Sequence, residues 1–299
     1  MICRPRKKQT EEEAMPVEQM IFKQRIEGLV EAEQVIREQE YSMASRHFHD
    51  TYELYYLLEG ERYYFIDRET YLVEAGDVVL IKPNQIHKTS MAKNSYHNRI
   101  LLQIHEGAFD TFLRGCGFFV LKEFYKRNAP IISLKETDRK AVEELIFQIG
   151  DEIKNKKDSY ELMVKMKLQE LLILLSRYQK NMLYEKSQAA QTPKHQKVHE
   201  VADYLQVHPE TREQLEELAG RFYISKSYLS RIFKEVTGFS IKEYTNIVRV
   251  KKAQNLLIYG EYSVTEISEL LGFESITYFE RVFKRYAACT PLKYRKEKR

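Results

Sequence analysis

The sequence predicts an α+β multidomain protein with an N-terminal antiparallel β-barrel, dimerisation helices and a C-terminal all-α tandem helix-turn-helix domain. Three observations lead to this fold class. The chain has 299 residues, which is more than a single hydrophobic core usually holds. Its apolar residues follow a strand-like pattern between residues 41 and 83 and a helical period after residue 130. The last third contains an internal repeat.

The composition is that of a globular protein. Apolar residues make up 43% of the chain and charged residues 31%, which excludes global disorder. The longest apolar run covers only residues 171–175, and no apolar segment follows the basic N-terminus, so we expect neither a membrane span nor export. Cys3, Cys116 and Cys289 are too far apart for a disulfide framework or a metal motif. We therefore expect a soluble, cytoplasmic protein.

Positive charge is concentrated in the C-terminal third. Residues 194–299 contain 19 Lys and Arg against 14 Asp and Glu, whereas residues 1–193 contain 29 against 30. Such an asymmetry favours an anionic partner, nucleic acid or a membrane surface, for one domain only. A solvated basic face would give the same excess of Lys and Arg. The sequence motifs of this segment are therefore needed to distinguish the two interpretations.

The N-terminal part divides into an arm and a barrel. Residues 1–40 are rich in Glu, Gln and Lys, and we expect a helical or partly ordered arm there. We expect the barrel at residues 41–135, with a further strand around 99–104. Its first strands are short runs of Tyr, Phe, Val and Ile separated by turn residues such as Glu59-Gly60, and they lie at 53–58, 62–66, 71–73 and 78–81.

Residues 136–180 are expected to form two dimerisation helices. The first carries one apolar stripe, formed by Val142, Leu145, Ile146, Ile149 and Ile153. The second, at 160–178, is apolar on more than one side. We therefore expect one of its sides to face the barrel and the other to face a second subunit. The polar stretch 181–197 contains a proline and is typical of a linker.

Residues 198–299 carry the signals of two helix-turn-helix units. Three helix starts show the pattern of a capping box, and these are Thr211 with Gln214, Ser240 with Glu243, and Ser263 with Glu266. The segments 228–234 and 278–284 repeat the same order of aromatic, apolar, Arg, apolar, Phe and Lys residues at an offset of 50. The preceding helices match at an offset of 49, so the second turn is expected to be one residue longer.

The second helix of each unit has a polar face that suits DNA. An Arg side chain can make a bidentate contact with guanine or with a phosphate, and a Lys side chain suits a phosphate. Ordinary solvent-facing charges are the alternative, but the same Arg register in both units favours DNA contacts. The predicted DNA-binding residues are Lys226, Ser227, Ser230, Arg231, Lys234, Thr277, Arg281 and Lys284.

Residues 199–295 resemble the DNA-binding domain of the AraC/XylS family of bacterial transcription regulators, and residues 267–295 carry nearly the whole family signature. The resemblance implies that both units enter successive major-groove segments, that a long helix at 241–258 joins them, and that Arg231 and Arg281 contact bases. It also implies activation and contact with RNA polymerase. The family has an aromatic residue and Gly where this chain has Ala287-Ala288, so we expect the last reading helix to end differently from the first, which keeps Gly238.

The barrel segment resembles a cupin, because His47, His49 and Glu53 precede Gly60, and His87 follows. The resemblance implies His47, His49, Glu53 and His87 as ligands of a divalent metal, which suits their donor atoms. The alternative, which we favour, is a metal-free effector pocket formed by His47, His49, Glu53, Tyr55 and His87. Several Tyr residues in these strands would suit a sugar or a small aromatic ligand.

Together these features predict a sequence-specific DNA-binding transcription regulator, with no catalytic residues and no required cofactor. Its expected partners are double-stranded DNA, a small-molecule effector, a carbohydrate by family habit, and a second copy of the chain. Two alternatives stay open. One is a metal-dependent cupin enzyme or metal sensor fused to a DNA-binding domain, and the other is an architectural DNA-binding protein that needs no ligand.

Overall fold

A computed structural model describes residues 18–39, 49–178 and 192–298. The strands are β1 (Glu18–Ile26), β2 (Val30–Arg37), β3 (Tyr52–Ile66), β4 (Glu69–Glu74), β5 (Asp77–Ile81), β6 (His87–Met91), β7 (His97–Ile104) and β8 (Ile131–Ser133). The helices are α1 (Gly107–Gly115), α2 (Leu121–Arg127), α3 (Glu136–Asn155), α4 (Tyr160–Tyr178), α5 (Pro193–Val207), α6 (Leu215–Arg221), α7 (Lys226–Thr237), α8 (Ile241–Tyr259), α9 (Val264–Leu270), α10 (Ile276–Ala287) and α11 (Pro291–Lys298).

The long strand β3 organises the antiparallel sheet. The strand order is β1-β2-β7-β3-β5-β8, and β4 and β6 also pair with β3. The first half of β3 pairs with β5 and β7, and its second half pairs with β4 and β6. The register shifts between Leu57 and Glu59. Gly60 follows with φ of +91°, and a Cβ there would lie 2.5 Å from the Tyr96 carbonyl oxygen.

Gly60 therefore lies just after a bulge in one continuous strand, and the predicted turn at Glu59-Gly60 is wrong. Only glycine fits both the positive φ and the close backbone approach. The other predicted runs lie within β4 and β5, and the expected strand at 99–104 lies within β7. Helices α1 and α2 and strands β6 and β8 were not expected inside the barrel segment.

The predicted helical or partly ordered arm at 1–40 is wrong for residues 18–37, which form β1 and β2. One face of β2 buries Val30 and Ala32 against the sheet's main apolar core. The opposite face presents Glu31, Glu33 and Arg37 to the barrel interior. Charged side chains on the inner face hide the usual apolar alternation of a strand, so the segment resembles a solvated arm in sequence.

The two helices that the sequence predicts within residues 136–180 are present as α3 and α4. All five residues of the predicted stripe on α3 are buried, in one core with the sheet, α1, α2 and α4. Helix α4 buries Val164, Leu168, Leu171, Leu172 and Leu175 on one side. Its other side leaves Leu162, Met163 and Met166 exposed, so a single chain covers only one of the two apolar sides that the sequence predicts.

The C-terminal third contains two helix-turn-helix units, α6–α7 and α9–α10, which are joined by α8, with α5 before them and α11 after them. The offsets of 49 and 50 between the units are confirmed by the helix bounds. Helix α5 begins at Pro193 after a Thr192 cap, so residues 193–197 are helical and not part of a linker, because Pro suits the first helical position. Residues 181–191 of the predicted linker, and the last two residues of the predicted helical segment 136–180, lie outside the described residues.

Two of the three predicted capping boxes are confirmed, at Ser240 and Ser263. The third, at Thr211, is wrong. Helix α6 begins after Gln214, whose capping partner is Glu217. The Thr211 carbonyl instead accepts a hydrogen bond from Arg249 (2.8 Å), which holds Thr211 in the loop before the helix.

The expected difference between the ends of the two reading helices is also wrong. Ala288 at the end of α10 adopts the same left-handed conformation (φ +59°) as Gly238 (φ +83°) at the end of α7. A non-glycine residue adopts this conformation at some energetic cost.

In the described ranges, no helix is both long and apolar enough to cross a membrane.

Candidate functional site

Helix α7 buries one face and exposes the predicted reading face. Leu229, Ile232, Phe233 and Val236 are buried in the core of the first unit. A 610 Å³ groove runs along the opposite face. All five predicted DNA-binding residues of this unit are exposed and line that groove, and they are Lys226, Ser227, Ser230, Arg231 and Lys234.

Helix α10 repeats this arrangement. Phe279, Val282 and Phe283 are buried, whereas Thr277, Arg281 and Lys284 are exposed. In both units, a serine cap before the helix accepts a hydrogen bond from the backbone N–H of a tyrosine, Tyr228 or Tyr278. Both units therefore begin their reading helices in the same way.

The two reading-face arginines share one further contact. The guanidinium carbon of Arg231 lies 5.4 Å from the centre of the Tyr228 ring, and that of Arg281 lies 5.2 Å from the Tyr278 ring. A cation above an aromatic face is attracted electrostatically. Each Arg is therefore partly oriented before any DNA contact, which reduces the side-chain entropy that binding would otherwise cost.

Close packing fixes the two units relative to each other. The buried Arg249 of α8 donates to the carbonyl oxygens of Pro209 (2.6 Å) and Thr211 (2.8 Å) in the first unit, and its guanidinium carbon lies 5.2 Å from the Phe273 ring in the second. At Gly272, a Cβ would lie 2.2 Å from the Glu210 carbonyl oxygen. The units therefore present their reading helices as one rigid surface.

The barrel brings together three of the four residues expected from the cupin resemblance. His49 Nε2 lies 2.9 Å from a Glu53 carboxylate oxygen, and His87 Nε2 lies 3.7 Å from the same oxygen. Tyr64 donates to the other Glu53 oxygen at 2.8 Å. Burial alone would raise the pKa of Glu53, but His87 and His49 hold it at about 2. His47 lies outside the described residues.

A separate cavity of 230 Å³ opens inside the barrel. Glu53 and Tyr55 line it, so two predicted effector residues belong to this cavity, whereas His49 and His87 contact Glu53 from the histidine cluster. Charged and polar side chains from β1, β2, β3, β6 and β7 dominate the lining. The complete set is Lys23, Glu31, Glu33, Arg37, Glu53, Tyr55, Thr89, His97, Arg99, Leu101 and Gln103.

The charges in the cavity are paired but leave hydrogen-bonding capacity. Arg99 Nη2 lies 2.6 Å from Glu33, while the buried Nη1 atom has no hydrogen-bond partner among the described residues. His97 Nδ1 donates to the Ser95 carbonyl (3.0 Å). Burial, together with nearby arginines, lowers the pKa of His97 to about 4, so its Nε2 remains an acceptor at neutral pH.

Sequence reasoning missed Glu33, Arg37, His97 and Arg99 as site residues. Charged positions alternate on β2 at Glu31, Glu33 and Arg37, and the same period on β7 places His97 and Arg99 on one face. This alternation of charges is the only sequence signal for these site residues. On β2 it falls in the segment 1–40 that is predicted to be an arm, so it does not stand out as a strand.

Comparisons with known proteins support both parts. Residues 34–172 match a family model described as an AraC-like ligand binding domain, and residues 218–297 match one described as a helix-turn-helix domain. The Msm operon regulatory protein of Streptococcus mutans is 27% identical over 259 residues, which are 83% of this chain and 85% of that protein. YdeC of Bacillus subtilis, an HTH-type transcriptional regulator, is 25% identical over 84% of this chain and 85% of its own length.

Solved structures also show similarity to this chain. The DNA-binding domain of AdpA in complex with a target DNA is 32% identical, and the match covers 33% of this chain and 88% of that one with a TM-score of 0.32. ToxT from Vibrio cholerae is 16% identical, and the match covers 90% of this chain and 98% of that one with a TM-score of 0.36.

The fold and the sequence matches define a DNA-binding transcription regulator with a ligand-binding domain. The chain belongs to the AraC family. This confirms the predicted fold class and the resemblance of the C-terminal third. The roles of the individual DNA-contacting and effector-contacting residues remain predictions.

We expect Arg231→Ala and Arg281→Ala each to weaken binding to preferred DNA by roughly 1–3 kcal/mol and to relax specificity at one base position. Competition binding against duplexes that are substituted one position at a time measures both effects. Lys234→Ala is the comparison, because loss of a phosphate contact weakens all sequences alike. If the Arg variants also weaken every sequence equally, the two arginines contact phosphates and not bases.

Proposed function

We propose that this regulator activates transcription in response to a neutral carbohydrate bound in the barrel. The observation that carries the proposal is the polar cavity between β2, β3 and β7. Activation through RNA polymerase is the direction that the family resemblance implies. The relative from Streptococcus mutans is named as the regulator of an operon, which supports a role in transcription without identifying an effector.

The cavity offers donors and acceptors side by side. Arg99 and Lys23 can only donate hydrogen bonds, whereas Glu33 and the neutral His97 Nε2 can accept them. A hydroxyl group donates and accepts at once, so a ligand with several hydroxyls can satisfy both sets. Tyr55 adds an aromatic ring to the same wall, which suits the C–H face of a sugar.

The balance of charge favours a neutral ligand. Three carboxylates, Glu31, Glu33 and Glu53, face three cations, Lys23, Arg37 and Arg99. Within this lining set the charges compensate one another, so an anionic ligand would add an unpaired charge, which is costly in a buried site. The buried Arg62, which acts electrostatically on Tyr55 and His97, lies outside the set. At 230 Å³, the cavity lies below the usual range for drug-sized ligands, so we expect a ligand of monosaccharide size.

A panel of neutral monosaccharides, with their phosphorylated and carboxylated derivatives, tests this proposal. We expect a neutral sugar to raise the melting temperature of the full chain, because ligand binding stabilises the folded state. Glu33→Gln should lower the affinity by roughly tenfold or more, since it removes a charged acceptor. Glu27→Gln is the control, because its carboxylate is 88% exposed. Stabilisation by anionic compounds alone would contradict the proposal.

We further propose that the chain dimerises through α3 and α4. Leu162, Met163 and Met166 on α4 are 50%, 42% and 51% exposed, and Phe147 on α3 is 39% exposed. Large apolar side chains that are exposed on adjacent helices are typical of an interaction surface. A second copy that packs its own α4 against this face would bury the side that one chain leaves open.

We expect Met166→Glu to convert the dimer to a monomer, because a buried unpaired carboxylate destabilises an interface. Light scattering after size-exclusion chromatography measures the mass directly. Lys140→Glu also introduces a carboxylate, on α3 where the side chain is 85% exposed, and should leave the dimer intact. A monomeric unmodified chain, or a dimeric Met166→Glu variant, would contradict this interface.

A second candidate function, metal sensing or metal-dependent catalysis, is favoured by one observation. The ligating atoms of His49, Glu53 and His87 all lie within 4.8 Å of one another. Two imidazoles and a carboxylate suit a borderline divalent cation. In the present geometry, Glu53 pairs directly with His49, so a metal would have to separate these two side chains.

Metal analysis after incubation with Zn²⁺ or Mn²⁺ and exhaustive dialysis tests this candidate. A metal site predicts one bound ion per chain, lost in His87→Gln because an imidazole ligand is removed. His105→Gln is the control, since His105 is exposed and outside the cluster. Substoichiometric metal in the unmodified chain, or equal amounts of metal in both variants, would contradict a metal site. The histidines would then only hold the Glu53 carboxylate in place.

A further inference from the structure

Strands β3 and β6 form one wall of the barrel, which we call the β3–β6 wall, and its two faces do different things. Tyr64 pairs with Thr89, and Ile66 pairs with His87. These side chains face inward, where Tyr64 donates to Glu53 and Thr89 lines the cavity. Because side chains alternate along a strand, the intervening residues face the opposite way.

The outer face of the β3–β6 wall packs on the first helix-turn-helix unit. Phe65, and Ile86 just before β6, are both 1% exposed, and they belong to the same apolar core as Leu229 and Phe233 of α7. The ring centre of Tyr63 lies 4.5 Å from that of His195 on α5. The barrel therefore supplies part of the apolar core against which the reading helix α7 packs.

Polar contacts join the turn after β3 to α5 and α8, the helices that flank the first unit. The Tyr244 hydroxyl donates to the Asp67 carbonyl (2.5 Å), and Lys251 pairs with the Asp67 carboxylate (3.1 Å). His199 Nδ1 donates to the Arg68 carbonyl (3.0 Å). These contacts reach α5 and α8, whereas only one side chain of the wall hydrogen-bonds to the end of α7 in the part of the chain that is described.

That side chain is Lys88. Its ammonium group donates to the carbonyl oxygens of Glu235 (2.7 Å) and Lys234 (3.4 Å), in the last turn of α7. The last carbonyls of a helix lack intrahelical partners, and this end of the helix dipole is negative. Lys88 is 8% exposed. A buried cation thus caps the helix that carries Arg231.

We propose that Lys88 is a positioning residue of the DNA interface, and that β6 transmits the state of the effector cavity to α7. Thr89 contacts the cavity and Lys88 contacts the helix, and these residues are neighbours on one hydrogen-bonded strand. A ligand that displaces Thr89 has to displace Lys88 as well. The inference rests on the proposed function in one respect, namely that the cavity holds the effector.

A double-mutant cycle in the full chain tests the proposal. Thr89→Gln places a longer side chain in the cavity, and Lys88→Met removes the ammonium while keeping a long side chain. Affinity is measured on a duplex selected by the full chain from random DNA, and on versions in which one half-site is scrambled. Arg231→Ala identifies the half-site that the first unit binds. Scrambling that half-site should no longer change the affinity once Arg231 has been replaced.

We expect Thr89→Gln to change the affinity for the half-site of the first unit by roughly fivefold or more, and the effect to fall within about twofold in the Lys88→Met background. The half-site of the second unit should respond to neither change. A structural defect alone would weaken both half-sites and would be additive with Lys88→Met. Lys88→Arg retains a cation and should preserve the coupling.

Lys93→Met is the matched control. It removes a lysine charge just after β6, where the side chain is 83% exposed and 3.9 Å from Glu61, without a contact to α7. The effect of Thr89→Gln should persist in this background. If Thr89→Gln does not fold, as judged by its melting temperature, the nearly isosteric Thr89→Val replaces it.

Two results would overturn the proposal. One is additive behaviour of the Thr89 and Lys88 variants, and the other is unchanged DNA affinity in both Thr89 variants. The cycle uses no sugar, so it is independent of the effector test. Coupling without sugar binding would reject only the carbohydrate effector, whereas sugar binding with additive affinities would reject only the route through Lys88.

Discussion

The bend of β3 at Gly60 is the constraint on which the rest of the structure depends. This 15-residue strand pairs with β5 and β7 along its first half and with β4 and β6 along its second half, so it exchanges one pair of neighbours for another near Gly60. The bulge and the absent Cβ at Gly60 allow this change. The first half of the strand then supplies Glu53 and Tyr55 to the cavity, and the second half supplies Tyr64 to Glu53 and Phe65 to the first helix-turn-helix unit. One strand thus connects the sensor interior with the DNA-binding half.

The two halves of the chain differ in how far their sequence predicts their structure. The helix-turn-helix units could be predicted almost residue by residue, because apolar residues face inward and charges face outward, and the repeat at Arg231 and Arg281 supplies an internal check. The barrel breaks this rule. Glu31, Glu33 and Arg37 point into the protein, so β2 lacks the apolar alternation by which a strand is recognised.

The cavity could therefore be predicted only in part. Glu53 and Tyr55 were found because they lie beside the cupin-like histidines, whereas Arg99 and Glu33 come from strands that are far apart in sequence and meet only through the pairing of β2 with β7. Strand β6, which begins at His87, is short and polar, and its pairing with the second half of β3 depends on the bend at Gly60. No local pattern contains this information.

The same inward charges have a consequence for selectivity. An apolar ligand of the same size would displace water from Arg99 and Glu33 without replacing its hydrogen bonds. Buried polar groups that have no hydrogen-bond partner cost free energy. A site built on such groups rejects ligands that lack matching hydroxyls more strongly than an apolar pocket rejects a ligand of the wrong shape. The charged lining that makes β2 difficult to recognise in the sequence is thus what would let the barrel distinguish one small molecule from another.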